Sequence, residues 1–78
     1  MTTTEEVSLH IGQRLAAHRR SLNLSLADVA ELCGVTLQQV HRYETGENAI
    51  SAPMLWLLSR CLKAPIVYFF EGLDAEEA

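Results

Sequence analysis

The segment Ser25–Gly46, SLADVAELCGVTLQQVHRYETG, constrains this chain more than any other part of it. Ser25 is placed to accept a backbone hydrogen bond as an N-cap, with Asp28 near the positive end of the helix dipole. Leu26, Val29, Ala30 and Cys33 then recur at helical spacing and form one apolar face. Gly34 stands where a helix ends in a left-handed residue. Val35 is the apolar residue of the turn, expected to be buried. Thr36 starts a second helix, with Gln39 three positions on in the pattern of a capping box. Val40 and Tyr43 point inward, Gln38, Gln39, His41 and Arg42 are left outside, and Gly46 stops the helix. Two short helices joined in this way form a helix-turn-helix, a device for laying one helix in the DNA major groove.

The flanking sequence predicts more helix. Residues 1–6, MTTTEE, carry no apolar pattern, and a disordered N-terminal arm is expected over 1–7. Helix 1 is expected from Leu9 to Ser21, with Ile11, Leu15 and Ala16 inward, Leu22 closing on the core and Arg14, Arg19 and Arg20 exposed. Asn23 is its stop. Ser51 caps helix 4, Pro53 suits its first turn, and Leu55, Leu58, Cys61 and Leu62 face inward. Pro65 opens a fifth helix, whose Ile66, Val67, Phe69 and Phe70 are strongly apolar, and Gly72 ends it. The domain is expected over 8–72, with an acidic tail over 73–78.

A chain of 78 residues has room for one small core. No apolar run is long enough for a membrane span, and no charged-then-apolar leader opens the chain, so the expected compartment is the cytoplasm. Cys33 and Cys61 lie far apart in sequence and read as reduced core residues. His10 and His18 read as solvated helix residues, and no metal or cofactor is implied. No nucleophile–base set or Gly-rich phosphate loop falls at workable spacing, which argues against an enzyme.

The net charge of −4 opposes nucleic-acid binding, but its distribution matters more than its sum. Six of the ten acids are Glu5, Glu6, Glu71, Asp74, Glu76 and Glu77; residues 7–70 keep four acids against six bases, a net of +2. A mildly basic middle with acidic ends predicts modest affinity per monomer.

The motif LSLADVAELCGVTLQQVHRYETGENAIS resembles the Cro/repressor-like (Xre-type) helix-turn-helix regulators of phage and bacteria, and the likeness extends over residues 9–72. The APIVYFFEGL ending is similar to a subgroup common in alphaproteobacteria. The resemblance implies an all-α, five-helix lambda-repressor-like DNA-binding domain that inserts helix 3 in the major groove. It places Gln38 at a base edge and assigns Leu37 to a thymine methyl, His41 to the groove wall, and Arg42 to guanine or a phosphate. Gln39 is assigned either to a base or to the capping box. Arg14, Ser25, Thr36 and Asn48 are expected on the DNA backbone. The family often has glutamine where Leu26 stands and a basic residue where Ala49 stands, and Glu47 adds the wrong sign nearby. Glu44 is structural in the family.

The expected function is double-stranded DNA binding by a small homodimeric regulator, a repressor at a palindromic operator. With no second domain in sight, the dimer surface is expected on helices 4 and 5, from Met54, Trp56 and Tyr68. The alternative is a protein-interaction module, antitoxin-like or anti-repressor, with a protein partner; Leu26 and the acidic balance favour it, and the recognition helix disfavours it.

Overall fold

The computed structural model describes residues 2–73. Among the described residues the chain is all helix and loop: α1 (Thr4–Ser21), α2 (Leu26–Cys33), α3 (Leu37–Thr45), α4 (Ala52–Cys61) and a short 3-10 helix, Ile66–Phe70. The fifth helix of the sequence reading is therefore one tight segment rather than an α-helix. It opens with Tyr68 N–H donating to the Pro65 carbonyl at 2.9 Å, the i→i+3 bond of that geometry.

Each α-helix begins on a hydroxyl. Thr3, Ser25, Thr36 and Ser51 accept from the backbone N–H of Glu6, Asp28, Gln39 and Met54, respectively. The Thr3 cap corrects the expected arm. Helix α1 starts at Thr4 rather than Leu9, Glu5 and Glu6 complement its N-terminal dipole, and Val7 packs against the core. Of the tail expected over 73–78, only Leu73 lies among the described residues.

Helix α3 packs on α1 and α2; α4 packs on α2, and the 3-10 helix on α1 and α4. Between them Leu15, Val29, Val40, Leu58 and Phe69 are wholly excluded from solvent, each such side chain being worth about 1.5–3 kcal/mol. Val35, Cys33 and Cys61, read as core, are only partly buried, and two further apolar side chains are exposed. Leu22 is 44% exposed and Phe70 39%; successive residues of a 3-10 turn point about 120° apart, so Phe69 and Phe70 cannot both face inward.

The seam between α1 and α3 is unusually close. A Cβ on Gly12 would stand 2.8 Å from the Glu44 carbonyl oxygen and nearer still to that of Tyr43. Seven residues along α1, Arg19 donates from Nε to Glu44 Oε2 at 2.6 Å and from Nη2 to Oε1 at 3.1 Å. Its Nη1 donates to the Leu24 carbonyl at 2.8 Å. The two side chains are only 11% and 8% exposed. Arg19 thus leaves the exposed set to which the sequence reading assigned it. The bond to Glu44 raises its pKa further, against the desolvation that lowers it.

Two stability outcomes follow, both measured by urea unfolding. Gly12→Ala is expected to lower stability by about 1–3 kcal/mol, because backbone must move from backbone. Glu44→Ala is expected to cost about 3–5 kcal/mol, because it leaves the Arg19 charge buried and unpaired. Wild-type midpoints for either variant contradict this description of the seam.

Candidate nucleic-acid interface

Helix α3 buries one side and presents the other. Val40 is fully buried and Tyr43 is 5% exposed. Leu37, Gln38, His41 and Arg42 are all exposed, and Gln38, His41 and Arg42 fall within one helical turn on a single face. Tyr43 and Val40 anchor the rod, while Gly34, at φ 71°, ends α2 in the left-handed turn that sets α3 off at its angle.

Gln39 does not close the capping box with its side chain, which is one of its two expected roles. Its backbone N–H donates to Thr36 Oγ1 at 3.1 Å, but its side-chain Nε2 donates to the Tyr43 hydroxyl at 2.5 Å. The reciprocal half of the capping box at α3 is therefore unmade. The complete box is at α2, where Ser25 N–H donates to Asp28 Oδ2 at 2.8 Å and Asp28 N–H to Ser25 Oγ at 3.0 Å. The box ties Ser25, expected on the DNA backbone, to Asp28. The N–H of Ser25 is spent within the chain and its Oγ accepts there, which leaves the Ser25 O–H as its donor for a phosphate, and the box holds a carboxylate at that helix end. The Ser25 N–H, then its side chain, hold the Asp28 carboxyl below the usual carboxylate range.

Arg14, likewise expected on the DNA backbone, is engaged within the fold. Its Nε donates to the Tyr68 carbonyl at 2.9 Å, its Nη2 meets Glu71 Oε2 at 3.2 Å, and the guanidinium lies 3.9 Å over the Tyr68 ring. It belongs to the seam with the 3-10 helix, not to the α3 surface. The exposed cation of α1 that stands by α3 is Arg20, which lines a shallow depression with Gln13, His41, Glu44 and Thr45. Arg20 is exposed, and no ion pair involves it among the described residues. Thr36 and Asn48 are exposed at the two ends of α3, and Asn48 N–H returns to the Arg42 carbonyl at 3.1 Å. Arg42 lies 3.7 Å from Glu47, with both side chains more than half exposed, so that pair is weak.

The histidines are more engaged than the sequence suggested. The Nε2 of His10 lies 2.7 Å from the Glu71 carbonyl oxygen, and that of His18 lies 2.6 Å from that of Leu62. No cluster of three metal-ligating side chains occurs among the described residues, and no helix there is long and apolar enough to cross a membrane.

A capped helix, a left-handed glycine turn and a second helix with one buried and one polar face define a helix-turn-helix protein. The helix-turn-helix family model HTH_3 matches residues 15–69, and the chain belongs to that family. It is 40% identical over 72 residues to an uncharacterized transcriptional regulator in the ATPase CF(0) region of Rhodospirillum rubrum, covering 92% of this chain and 67% of the relative. It is 43% identical over 65 residues to the uncharacterized HTH-type transcriptional regulator y4wC of Sinorhizobium fredii, covering 83% of this chain and 46% of that one. The chain thus spans 46% to 67% of these relatives' length. The crystal structure of the restriction-modification controller protein C.AhdI from Aeromonas hydrophila superposes with a TM-score of 0.76 at 27% identity, covering 80% of this chain and 94% of that one. The first two carry the name of transcriptional regulator and the third that of a controller protein.

Two substitutions test the electrostatics. Glu47→Gln removes the carboxylate beside Arg42 and is expected to tighten binding to duplex DNA by about 0.5–1 kcal/mol, read by fluorescence anisotropy; weaker binding contradicts the placement of Arg42. Asp28 has a depressed folded-state pKa, so its cap contributes above the ordinary carboxylate pKa and is lost as pH falls through the folded value. The gap in Tm between wild type and Asp28→Asn is expected to be widest at neutral pH and to close in acid. A gap that does not depend on pH contradicts the box.

Proposed function

We propose that the chain is the DNA-reading part of a homodimeric transcriptional repressor that lays α3 in the major groove of a palindromic operator. The observation that carries this reading is the polar face of α3, offered to solvent on a helix fixed from beneath by Tyr43 and Val40. Gln38 reads a base edge, since its amide both donates and accepts. Arg42 takes guanine or the adjoining phosphate, Leu37 meets a thymine methyl, and His41 faces the groove wall. Thr36, Asn48 and Arg20 hold the DNA backbone. Gln39, tied to the Tyr43 hydroxyl, positions rather than reads.

A single half-site has too few base pairs for useful discrimination in a genome, which favours a two-fold dimer with recognition helices about 34 Å apart. Of the three residues expected at its interface, Tyr68 turns inward. Its hydroxyl donates to the Arg14 carbonyl at 3.0 Å and its ring packs on His18 and Phe69. Met54 is half-buried against the core. Trp56 stays 54% exposed, and Val67 at 61%, Leu57 and Phe70 join it as exposed apolar side chains. These four lie on α4 and the 3-10 helix, elements that pack mainly on α2 and α1. We assign this surface to the second copy.

The reading as a protein-interaction module draws on the same exposed apolar side chains. Salt separates the two, because a phosphate-contacting protein loses DNA affinity steeply as salt rises. Selection of sites from random duplexes is expected to return palindromes with half-sites one helical turn apart, bound with such a salt slope. Gln38→Ala is expected to cost about 1–3 kcal/mol and to blur preference at one position of each half-site. An unselective library, or a Gln38→Ala variant with wild-type preference, overturns the proposal.

A further inference from the structure

Cys33 and Cys61 are 28 positions apart in sequence, yet the fold brings them together. Each is the last residue of its helix, α2 and α4, and these two helices pack on one another. Cys61 Sγ–H donates to the carbonyl of Leu32, the residue before Cys33, at 3.6 Å. Burial first, then the hydrogen bond to Cys61 and its charge, push the Cys33 thiol up to about 11. Both cysteines are free and only partly buried, and Leu32 beside them is 54% exposed, so a small reagent reaches the pair from solvent. Nothing in the DNA-reading surface uses either thiol.

We propose that Cys33 and Cys61 are an oxidation site: they close an intramolecular disulfide across the α2–α4 seam on meeting a low-molecular-weight disulfide such as oxidised glutathione. A thiol held protonated is the poorer nucleophile, so Cys61 attacks first, as its thiolate. Its sulfur bonds to one glutathione sulfur, the glutathione S–S bond breaks, and the other half leaves as a thiolate that takes up a proton. Cys33 then loses its proton and attacks the Cys61 sulfur of the mixed disulfide, expelling the second glutathione. Two electrons pass from the protein thiols to the glutathione disulfide, and the two protein protons end on two glutathione thiols. The bond closes a loop that contains the whole of α3, so it removes unfolded-state freedom from the part of the chain that carries the recognition helix.

The test is incubation of the reduced full chain with oxidised glutathione at mildly alkaline pH, followed by intact-mass and thiol measurement and a thermal scan. The expected product is a monomer that has lost two hydrogens, shows no free thiol and unfolds about 10 °C or more higher than the reduced chain. The shift is expected to reverse with a reductant. Cys33→Ser is expected to stop at a stable glutathione adduct on Cys61, and Cys61→Ser to react more slowly than Cys33→Ser. Wild-type chains that carry persistent glutathione, link to a second chain, or keep both thiols overturn the proposal. So does a closed disulfide that leaves Tm unchanged or lower.

Discussion

The contact between α1 and α3 sets the geometry on which everything else rests. It combines two devices of different kinds. At one end the absence of a side chain at Gly12 lets backbone meet backbone at Tyr43 and Glu44. At the other a two-pronged ion pair, shielded from water, ties Arg19 to Glu44 and to the Leu24 carbonyl that precedes α2. One guanidinium therefore bridges α1, the α1–α2 loop and α3. A buried ion pair adds little net stability compared with an apolar pair of the same shape. What it adds here is direction: it can be satisfied in only one orientation of α3, and that orientation turns Gln38, His41 and Arg42 to solvent.

Helix α1 uses its polar residues as fasteners on a second side as well. His10, Arg14 and His18 are spaced by four, and so lie in one row. They meet the backbone carbonyls of Glu71, Tyr68 and Leu62 in turn. This row holds the 3-10 helix, whose Phe69 completes the core. The consequence for DNA is electrostatic. Of the three arginines on α1, two are consumed by the fold, and Asp28 puts a carboxylate at the start of α2. The positive charge left near α3 is Arg20 and Arg42, a thin supply for a surface meant to meet phosphate. Discrimination must then lean on the fit of α3 to base edges more than on attraction to the backbone.

The parts of this structure that were legible in the sequence are the local ones. A hydroxyl cap, a left-handed glycine and an apolar repeat each act within a few residues, so α2, α3 and the start of α4 stand where the pattern put them, and Val40 and Tyr43 face inward. The parts that were not legible depend on residues far away in the chain. Arg19 looked like a surface cation because its partners, Glu44 and Leu24, reach it only through the fold. The engagement of Arg14 with Tyr68 and Glu71 was hidden for the same reason. Gly12 gave no signal, since a glycine within a helix marks a close approach only when the approaching chain is known. The early start of α1 was different: Thr3 with Glu6 three residues on is a local signal, but it sits ahead of an apolar repeat that begins only at Val7.

The most direct check on the whole is a titration of isotope-labelled protein with an operator duplex, following backbone and side-chain NMR shifts. The changes are expected to concentrate at Thr36, Gln38, His41 and Arg42 and to extend to Arg20 and Asn48, with Arg19, Glu44 and Arg14 keeping their free-state contacts. Shifts gathered instead around Trp56, Val67 and Phe70, with α3 silent, would contradict the claim that α3 is the reading edge of this molecule.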